Sequence, residues 1–141
     1  VAKKHVHFKL EPVLSWKTRI AQIKTIPNGA YVGYGCAYRT KRKTRLAILP
    51  VGYYDGYDRG FSNKSSVLIH GKRAKLLGRV CMNITVVDVE HIPHVQQDDE
   101  AVIIGTQEKE RISVEEIARH IGTINYEVTT RLRESIRYVY I

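Results

Sequence analysis

The chain has 141 residues, with 43% hydrophobic and 26% charged side chains, proportions that are typical of one globular domain with a real core. No apolar run approaches the roughly 20 residues that a membrane-spanning helix needs, and two cysteines are too few for a disulfide framework. The formal net charge is +9, which favours an acidic partner surface or an anionic substrate.

Basic charge together with nine tyrosines is also typical of nucleic-acid binders, in which aromatic rings stack on bases and cations neutralise phosphates. The densest basic run, residues 41–45, lies between two strand-like runs and is interpreted as a solvated hairpin loop. No glycine-rich phosphate loop, zinc-ligand spacing or RNA-binding aromatic string accompanies it. We therefore expect no nucleic-acid partner, and keep a basic nucleic-acid-binding β-barrel module as the alternative from another functional class.

The first half of the chain predicts strands separated by turns. Residues 12–26 alternate in polarity with one change of parity, which indicates a strand with a bulge near its middle. Proline and glycine in residues 27–29 predict a turn. The nearly apolar residues 45–51 predict a strand buried on both faces, and the glycine- and aspartate-rich residues 53–63 predict a loop.

Residues 31–38 predict a strand that carries Tyr34 between Gly33 and Gly35. On such a strand, Tyr34 and Cys36 point to one side, while the glycines leave the other side nearly bare. Because glycine weakens a strand by roughly 0.5 to 1 kcal/mol relative to alanine, the pair indicates a place where another surface approaches closely. Taken alone, the pattern also fits a barrel bulge with an ordinary buried tyrosine.

The second half predicts further short strands. Residues 67–77 indicate a β-hairpin with a two-residue turn at Gly71 and Lys72, and residues 80–89 and 101–105 indicate two more strands. Short strands at intervals of about ten residues indicate an all-β barrel or sandwich.

Two helices and a last strand are predicted near the C-terminus. Ser113 and Glu116 form a Ser-x-x-Glu capping box at the start of a helix that Gly122 ends. A second helix is expected over residues 125–134. Residues 136–141 alternate in polarity, which predicts a strand that closes the sheet.

Metal and thiol chemistry find little support in the sequence. His5 and His7 can place two imidazoles on one strand face, but the sequence supplies no third ligand, and no metal site is expected. Cys36 and Cys81 lack a local basic partner and Cys-x-x-Cys spacing, so both are expected to be buried small hydrophobic residues. Few cysteines favour a reducing, cytoplasmic compartment, with the cytoplasmic part of a membrane-anchored protein left open.

Four short blocks follow one another in the sequence: Gly-Tyr-Gly at residues 33–35, Gly-Tyr-Tyr-Asp-Gly at 52–56, Arg-Val-Cys-Met-Asn at 79–83 and Ile-Asn-Tyr-Glu-Val at 124–128. In this order and at these spacings they resemble the C-terminal β-domain of bacterial alanine racemases, which are pyridoxal-phosphate-dependent amino-acid racemases. The resemblance extends from about residue 13 to residue 138.

The resemblance implies a mainly β fold, an antiparallel Greek-key β-barrel with short helices near the C-terminus. It makes residues 1–141 the C-terminal β-domain of a longer protein whose N-terminal cofactor-binding barrel lies outside this chain. It implies an isomerase that interconverts L- and D-alanine with pyridoxal 5'-phosphate held mainly by that barrel. The implied enzyme is a cytoplasmic homodimer that supplies D-alanine for peptidoglycan precursors, and this chain alone is expected to be inactive.

Two related activities remain as alternatives. A racemase for serine or another amino acid has the same architecture. So does a decarboxylase, but such decarboxylases use a cysteine-centred motif in this domain, and the Gly-Tyr-Gly block argues against that assignment.

The resemblance assigns the catalytic role to Tyr34. Racemisation needs a proton acceptor on one face of the substrate and a donor on the other, and the cofactor supplies the electron sink. In the family, a barrel lysine that also holds the cofactor is one of the two bases. Tyr34 is then the base for the L-alanine face, in the active site of the partner subunit across a dimer interface.

Substrate-binding roles follow from the same resemblance. Tyr53 matches the family tyrosine that lines the substrate pocket, and Met82 matches the methionine whose backbone approaches the substrate carboxylate. The family usually has aspartate after that methionine, whereas this chain has Asn83, which keeps a short polar side chain and removes its charge. Core packing is the ordinary alternative for both residues.

The remaining assignments concern the cofactor phosphate and the entrance to the site. Tyr126 matches the tyrosine whose hydroxyl meets the phosphate and narrows the active-site mouth. Arg59 and Arg79 match basic residues of the entrance corridor, where positive charge attracts a carboxylate substrate. Surface ion pairs are the ordinary alternative for the two arginines.

Overall fold

A computed structural model describes residues 10–141 of the chain. The strands in that range are β1 (Trp16–Arg19), β2 (Gln22–Ile26), β3 (Tyr31–Val32), β4 (Tyr38–Arg39), β5 (Thr44–Leu49), β6 (Ser66–Ile69), β7 (Lys72–Lys75), β8 (Thr85–Asp88), β9 (Glu100–Gln107) and β10 (Glu110–Ile112). The helices are α1 (Val114–His120) and α2 (Asn125–Thr130), and short 3-10 turns cover Tyr34–Cys36, Tyr53–Asp55 and Arg59–Phe61. Neither described helix has the length and apolar character needed to cross a membrane.

All strand pairs are antiparallel. One sheet has the order β1-β9-β6-β7 with β10 paired to β9, a second has the order β2-β5-β8, and β3 pairs with β4. The first two sheets meet at a bridge between Leu76 and Val87. They meet again where the chain turns from β1 into β2, since the amide of Ile20 donates to Asp99 and that of Ala21 donates to Ile48.

The strand order is that of a Greek key. β6, β7 and β8 are consecutive neighbours, through one ladder and the Leu76–Val87 bridge, and β9 returns to lie beside β6. A fourth strand that returns beside the first of three is the defining connection of this motif. The predicted mainly β, antiparallel Greek-key fold with short helices near the C-terminus is therefore confirmed, and both sheets contribute to the main hydrophobic cluster.

An aromatic cluster anchors the long loop between β5 and β6 in that core. Tyr57 and Phe61 are almost completely buried, with ring centroids 4.8 Å apart, and the Trp16 ring meets Tyr57 edge-on at 5.8 Å. Burying one such side chain stabilises the fold by about 1.5 to 3 kcal/mol. Burial also raises the pKa of the Tyr57 phenol above its ordinary value, which keeps it neutral. The predicted loop is thus held at two points, which sets the positions of the exposed residues between them.

Several sequence-based predictions were wrong in detail. Residues 12–26 form two strands in different sheets because the chain turns the corner at Ile20 and Ala21. Residues 80–89 form a strand only over β8, since the amide of Cys81 donates to the carbonyl of Ile84 in a tight turn. Strand β10 was missed.

The β6–β7 turn lies one residue earlier than predicted. Ile69 pairs with Lys72, so the turn residues are His70 and Gly71, with φ of 48° and 65°. Positive φ at both central residues is the requirement of the tight hairpin turn whose twist matches the strands.

The C-terminal elements are partly as predicted. The Ser113 hydroxyl accepts a hydrogen bond from the Glu116 amide at 3.1 Å and caps α1, while the Glu116 carboxylate binds Arg73 instead of completing the box. Helix α2 is shorter than expected, and residues 136–141 form no strand. The two sheets already meet at the β1–β2 and β7–β8 edges, and the inner strands β9, β6 and β5 each have neighbours on both sides.

Candidate functional site

One cleft brings together five of the six residues to which the sequence assigned a role. Its lining consists of Tyr34, Tyr53, Arg59, Arg79, Val80, Cys81, Met82, Asn83 and Ile84. Tyr126 does not line this cleft; it lies in the first turn of α2, with 72% of its surface exposed. Residues far apart in sequence are therefore neighbours around one cleft.

Tyr34 lies on a 3-10 turn and not on a strand, which corrects the sequence-based prediction. Gly33 and Gly35 have φ of 75° and 67°, a conformation that L side chains rarely adopt, and these values end the β3 strand. The turn carries the Tyr34 side chain outward, where 73% of its surface is exposed. The glycines serve the local geometry of the turn and not a bare strand face.

Close approach of another segment does occur at these glycines. A Cβ on Gly33 would lie 2.9 Å from the amide nitrogen of Arg79, and one on Gly35 would lie 3.6 Å from the Arg79 Nε. The turn that carries Tyr34 is therefore packed against the segment that carries Arg79. This close contact between backbones leaves the Tyr34 side chain accessible while its main chain is held.

Tyr53 and Met82 are coupled through their main chains. The amide of Tyr53 donates to the carbonyl of Cys81 at 3.0 Å, and that of Tyr54 donates to the carbonyl of Met82 at 2.9 Å. Gly52 permits this pairing, because a Cβ there would clash with both carbonyl oxygens. Tyr53 and Met82, with 48% of each exposed, thus form a connected part of the cleft.

Two residues that the sequence did not single out connect the parts of the cleft. Asn63 donates from Nδ2 to the carbonyl of Ala37 at 3.1 Å and accepts from the amide of Gly78 at 2.7 Å. The Ser62 hydroxyl accepts from the amide of Val80 at 3.0 Å. The available signal was a Ser-Asn pair at the end of a loop, since asparagine tolerates the positive φ of 59° found at Asn63.

The cleft is positively charged. Arg59 and Arg79 line it, both exposed, and none of its lining residues is acidic. Asp58, the carboxylate next to Arg59, is bound to Arg131 instead. Two cations without an opposing carboxylate attract small anions such as an amino-acid carboxylate or a phosphate. The chemistry of the donors therefore fits one side of a pyridoxal-phosphate and amino-acid site.

Tyr126 lies apart from these residues. Its backbone amide donates a hydrogen bond to the Asn125 side-chain oxygen at 3.0 Å, and its side chain is exposed. An exposed phenol at the start of a helix can donate a hydrogen bond to a phosphate that another domain holds.

The two cysteines differ from expectation. Cys36 is exposed and Cys81 is partly exposed, so the prediction that both are buried was wrong. Cys36 follows Tyr34 on the exposed 3-10 turn, and Cys81 lines the cleft and donates to the carbonyl of Arg79 at 3.4 Å. Within residues 10–141 no three His, Cys, Asp or Glu side chains are grouped as a metal site, and the His5–His7 pair lies outside that range.

Comparison with known proteins identifies the relatives of this domain. Residues 13–140 match the family model described as alanine racemase, C-terminal domain. The chain is 46% identical over 130 residues to an alanine racemase of Leptospira interrogans, covering 92% of this chain and 33% of that protein. It is also 46% identical over 131 residues to an alanine racemase of Methylacidiphilum infernorum, covering 93% and 34%.

Solved structures show the same fold. Alanine racemase from Streptomyces coelicolor A3(2) superposes with a TM-score of 0.88 at 35% identity, covering 94% of this chain and 34% of that one. The Bacillus anthracis alanine racemase with bound L-Ala-P superposes with a TM-score of 0.85 at 38% identity, covering 91% and 32%. The chain thus spans about a third of the length of the curated relatives it matches.

Proposed function

This chain belongs to the family of alanine racemase C-terminal domains, and we propose that it completes the active site of a pyridoxal-phosphate-dependent alanine racemase. In the proposed enzyme, an N-terminal barrel of the same protein holds the cofactor, and two subunits form a homodimer. The reaction interconverts L- and D-alanine.

The observation that carries the proposal is the presentation of Tyr34. A proton-transfer group must be accessible to the substrate and must be held in place. The Tyr34 side chain is 73% exposed, yet its turn is fixed by the close contact between Gly33 and the Arg79 backbone. A phenol held in this way points away from its own core, as a group that serves the site of another domain requires.

When bound, pyridoxal phosphate supplies the electron sink that makes the Cα–H bond of an amino acid acidic enough to break. As a phenolate, Tyr34 would then accept the proton from Cα of L-alanine at its Oη, and as a phenol it would donate a proton to Cα on that face in the reverse direction. A lysine of the barrel performs the complementary transfer on the D face. Each direction therefore needs both groups.

The other cleft residues bind and orient the substrate in this proposal. Arg59 and Arg79 attract the carboxylate toward the cleft, and Tyr53 and Met82 limit the space around the substrate side chain. The Tyr126 hydroxyl donates to the cofactor phosphate from its separate position on α2.

The surface around the cleft has the character of a docking site for another domain. Apolar or aromatic side chains are exposed there, among them Tyr34, Met82 and Ile84, with 73%, 48% and 46% of their surface accessible. Clustered exposure of this kind is typical of a docking surface. We propose that the barrel of the second subunit covers it, and that the enzyme acts in the cytoplasm to supply D-alanine for peptidoglycan precursors.

The test is Tyr34→Phe in the full-length enzyme, with Tyr31→Phe, an exposed tyrosine three residues earlier, as the matched control. Loss of one acid–base group is expected to slow racemisation by about 100- to 10,000-fold in both directions. Cofactor absorbance and folding should be unchanged. The isolated 141-residue chain, expected to be inactive, serves as the blank.

Hydrogen exchange at Cα separates the two bases. Exchange from D-alanine needs only the lysine and should survive in part in Tyr34→Phe, whereas exchange from L-alanine should fall much further. If Tyr34→Phe retains more than about a tenth of the parent racemisation rate in both directions, or slows the two exchanges equally, Tyr34 is a structural phenol. Serine is assayed in parallel because Asn83 lines the cleft where the family usually has aspartate.

A further inference from the structure

A second depression adjoins the substrate cleft. Tyr53 and Arg59 line both depressions. The rest of the second depression is formed by the loop residues Tyr54, Gly56 and Asp58 and by Arg131 and Arg133 of the C-terminal segment. The part of the chain that follows α2 therefore lies beside the turn that carries Tyr53.

Contacts between the C-terminal segment and the turn are specific. The guanidinium carbon of Arg133 lies 4.4 Å from the centroid of the Tyr54 ring, within the range of a cation–π contact. Gly56 allows the main chain of Arg131 to lie against the turn, because a Cβ there would clash with the Arg131 carbonyl oxygen. The Arg131 guanidinium also binds the Asp58 carboxylate.

This segment has its own anchor in the core. Val128 is buried, and Leu132 packs against the main hydrophobic cluster. Arg133 therefore extends from a fixed point of the chain onto Tyr54. On its other side, the Tyr53–Asp55 turn is held by the main-chain bonds to Cys81 and Met82 and by the Asp55 carboxylate, which accepts from the Gly52 amide at 2.9 Å.

We infer that Arg133 is a positioning residue for the substrate pocket: by lying over the Tyr54 ring it fixes the turn, and hence the adjacent Tyr53 that limits substrate size. The effect on substrate choice rests on the proposed racemase function. The effect on the turn does not, and it can be measured separately.

The first measurement is hydrogen–deuterium exchange at the Tyr53 and Tyr54 amides of the full-length enzyme. Arg133→Ala should speed exchange about two- to fivefold, the factor expected when one exposed cation–π contact is lost. Arg133→Lys keeps a cation over the ring and should restore most of the protection. Arg137→Ala, an exposed arginine four residues later, is the matched control and should match the parent.

The second measurement is the ratio of kcat/KM for alanine to kcat/KM for serine. With a less restrained Tyr53, Arg133→Ala should lower this ratio about two- to fivefold, mainly through the KM for alanine. A residue that only supported overall folding would reduce the amount of active enzyme and leave the ratio unchanged. Tyr54→Leu removes the other partner of the contact and should lower the ratio by the same factor. The double variant Arg133→Ala/Tyr54→Leu should lower it no further.

Unchanged amide exchange in Arg133→Ala, an equal change in Arg137→Ala, or failure of Arg133→Lys to restore protection would each overturn the inference. Should Arg133→Ala fail to fold, the same measurements on Tyr54→Leu decide the question. A full-length protein that racemises no amino acid but shows the expected exchange pattern would refute the proposed function and support the positioning role.

Discussion

Gly33 and Gly78 face each other where the Tyr34 turn meets the Arg79 segment, with no space for a side chain on either. A Cβ on Gly33 would lie 2.9 Å from the Arg79 amide nitrogen, and one on Gly78 would lie 2.5 Å from the Val32 carbonyl oxygen. Both residues also have positive φ, of 75° and 78°. This contact holds the Tyr34 turn against the Arg79 segment, and its geometry predicts a measurable cost for substitution.

Gly78→Ala is expected to lower the free energy of unfolding by more than Gly122→Ala. Gly122 has a φ of 71° but nothing within 4 Å of a Cβ position, so the control isolates the cost of the backbone conformation. That cost is about 1 to 2 kcal/mol for an L residue, and the clash at Gly78 adds to it. Urea denaturation of the two variants measures the difference, and equal losses would show that the close contact can relax without penalty.

Acid should weaken helix α1 through Glu115. The pKa of the Glu115 carboxyl is lowered chiefly by its own backbone amide at the helix start and then by a hydrogen bond from Ser113. Burial opposes these two effects, and Asn125 and the charge of Arg111 contribute smaller lowerings. A pKa that is lower in the folded state gives stability that is present above the unfolded pKa and lost as the pH falls through the folded one.

Glu115→Gln should therefore destabilise the protein at neutral pH, by about 0.3 to 1 kcal/mol for an exposed acid near a helix start. The difference from the parent should shrink as the pH falls below about 4. Glu134→Gln, an exposed acid beyond α2, is the control. Thermal unfolding from pH 7 to pH 3 measures both, and a difference that grows in acid contradicts the assignment.

Substrate size provides a prediction for the full-length enzyme. If Tyr53 and Met82 limit the pocket, alanine should be preferred over lysine and arginine, since forcing extra volume into a packed site costs about 1 to 3 kcal/mol. Specificity constants for the four substrates alanine, serine, lysine and arginine measure this preference. Tyr53→Ala should reduce this preference. Equal specificity constants for alanine and lysine in the parent would contradict the assignment of Tyr53 and Met82 to the substrate pocket.

Local patterns in the sequence were sufficient for much of this protein. Apolar residues 45–51 predicted the buried strand β5, and the Ser113 cap predicted the start of α1, because burial and capping depend on residues close in sequence. The order of four short blocks also identified the family, which the match over residues 13–140 confirms.

Only the tertiary structure decided how those blocks form a site. The sequence placed Tyr34 on a strand, but the contact of Gly33 with the Arg79 segment, 46 residues away in the chain, accompanies a turn with positive φ instead. The bridging role of Asn63 and the position of Arg133 over Tyr54 likewise depend on where distant segments meet. The periodicity of apolar residues indicates which residues are buried along one strand or helix. Close contacts between loops depend instead on how all the strands and helices of the domain pack together.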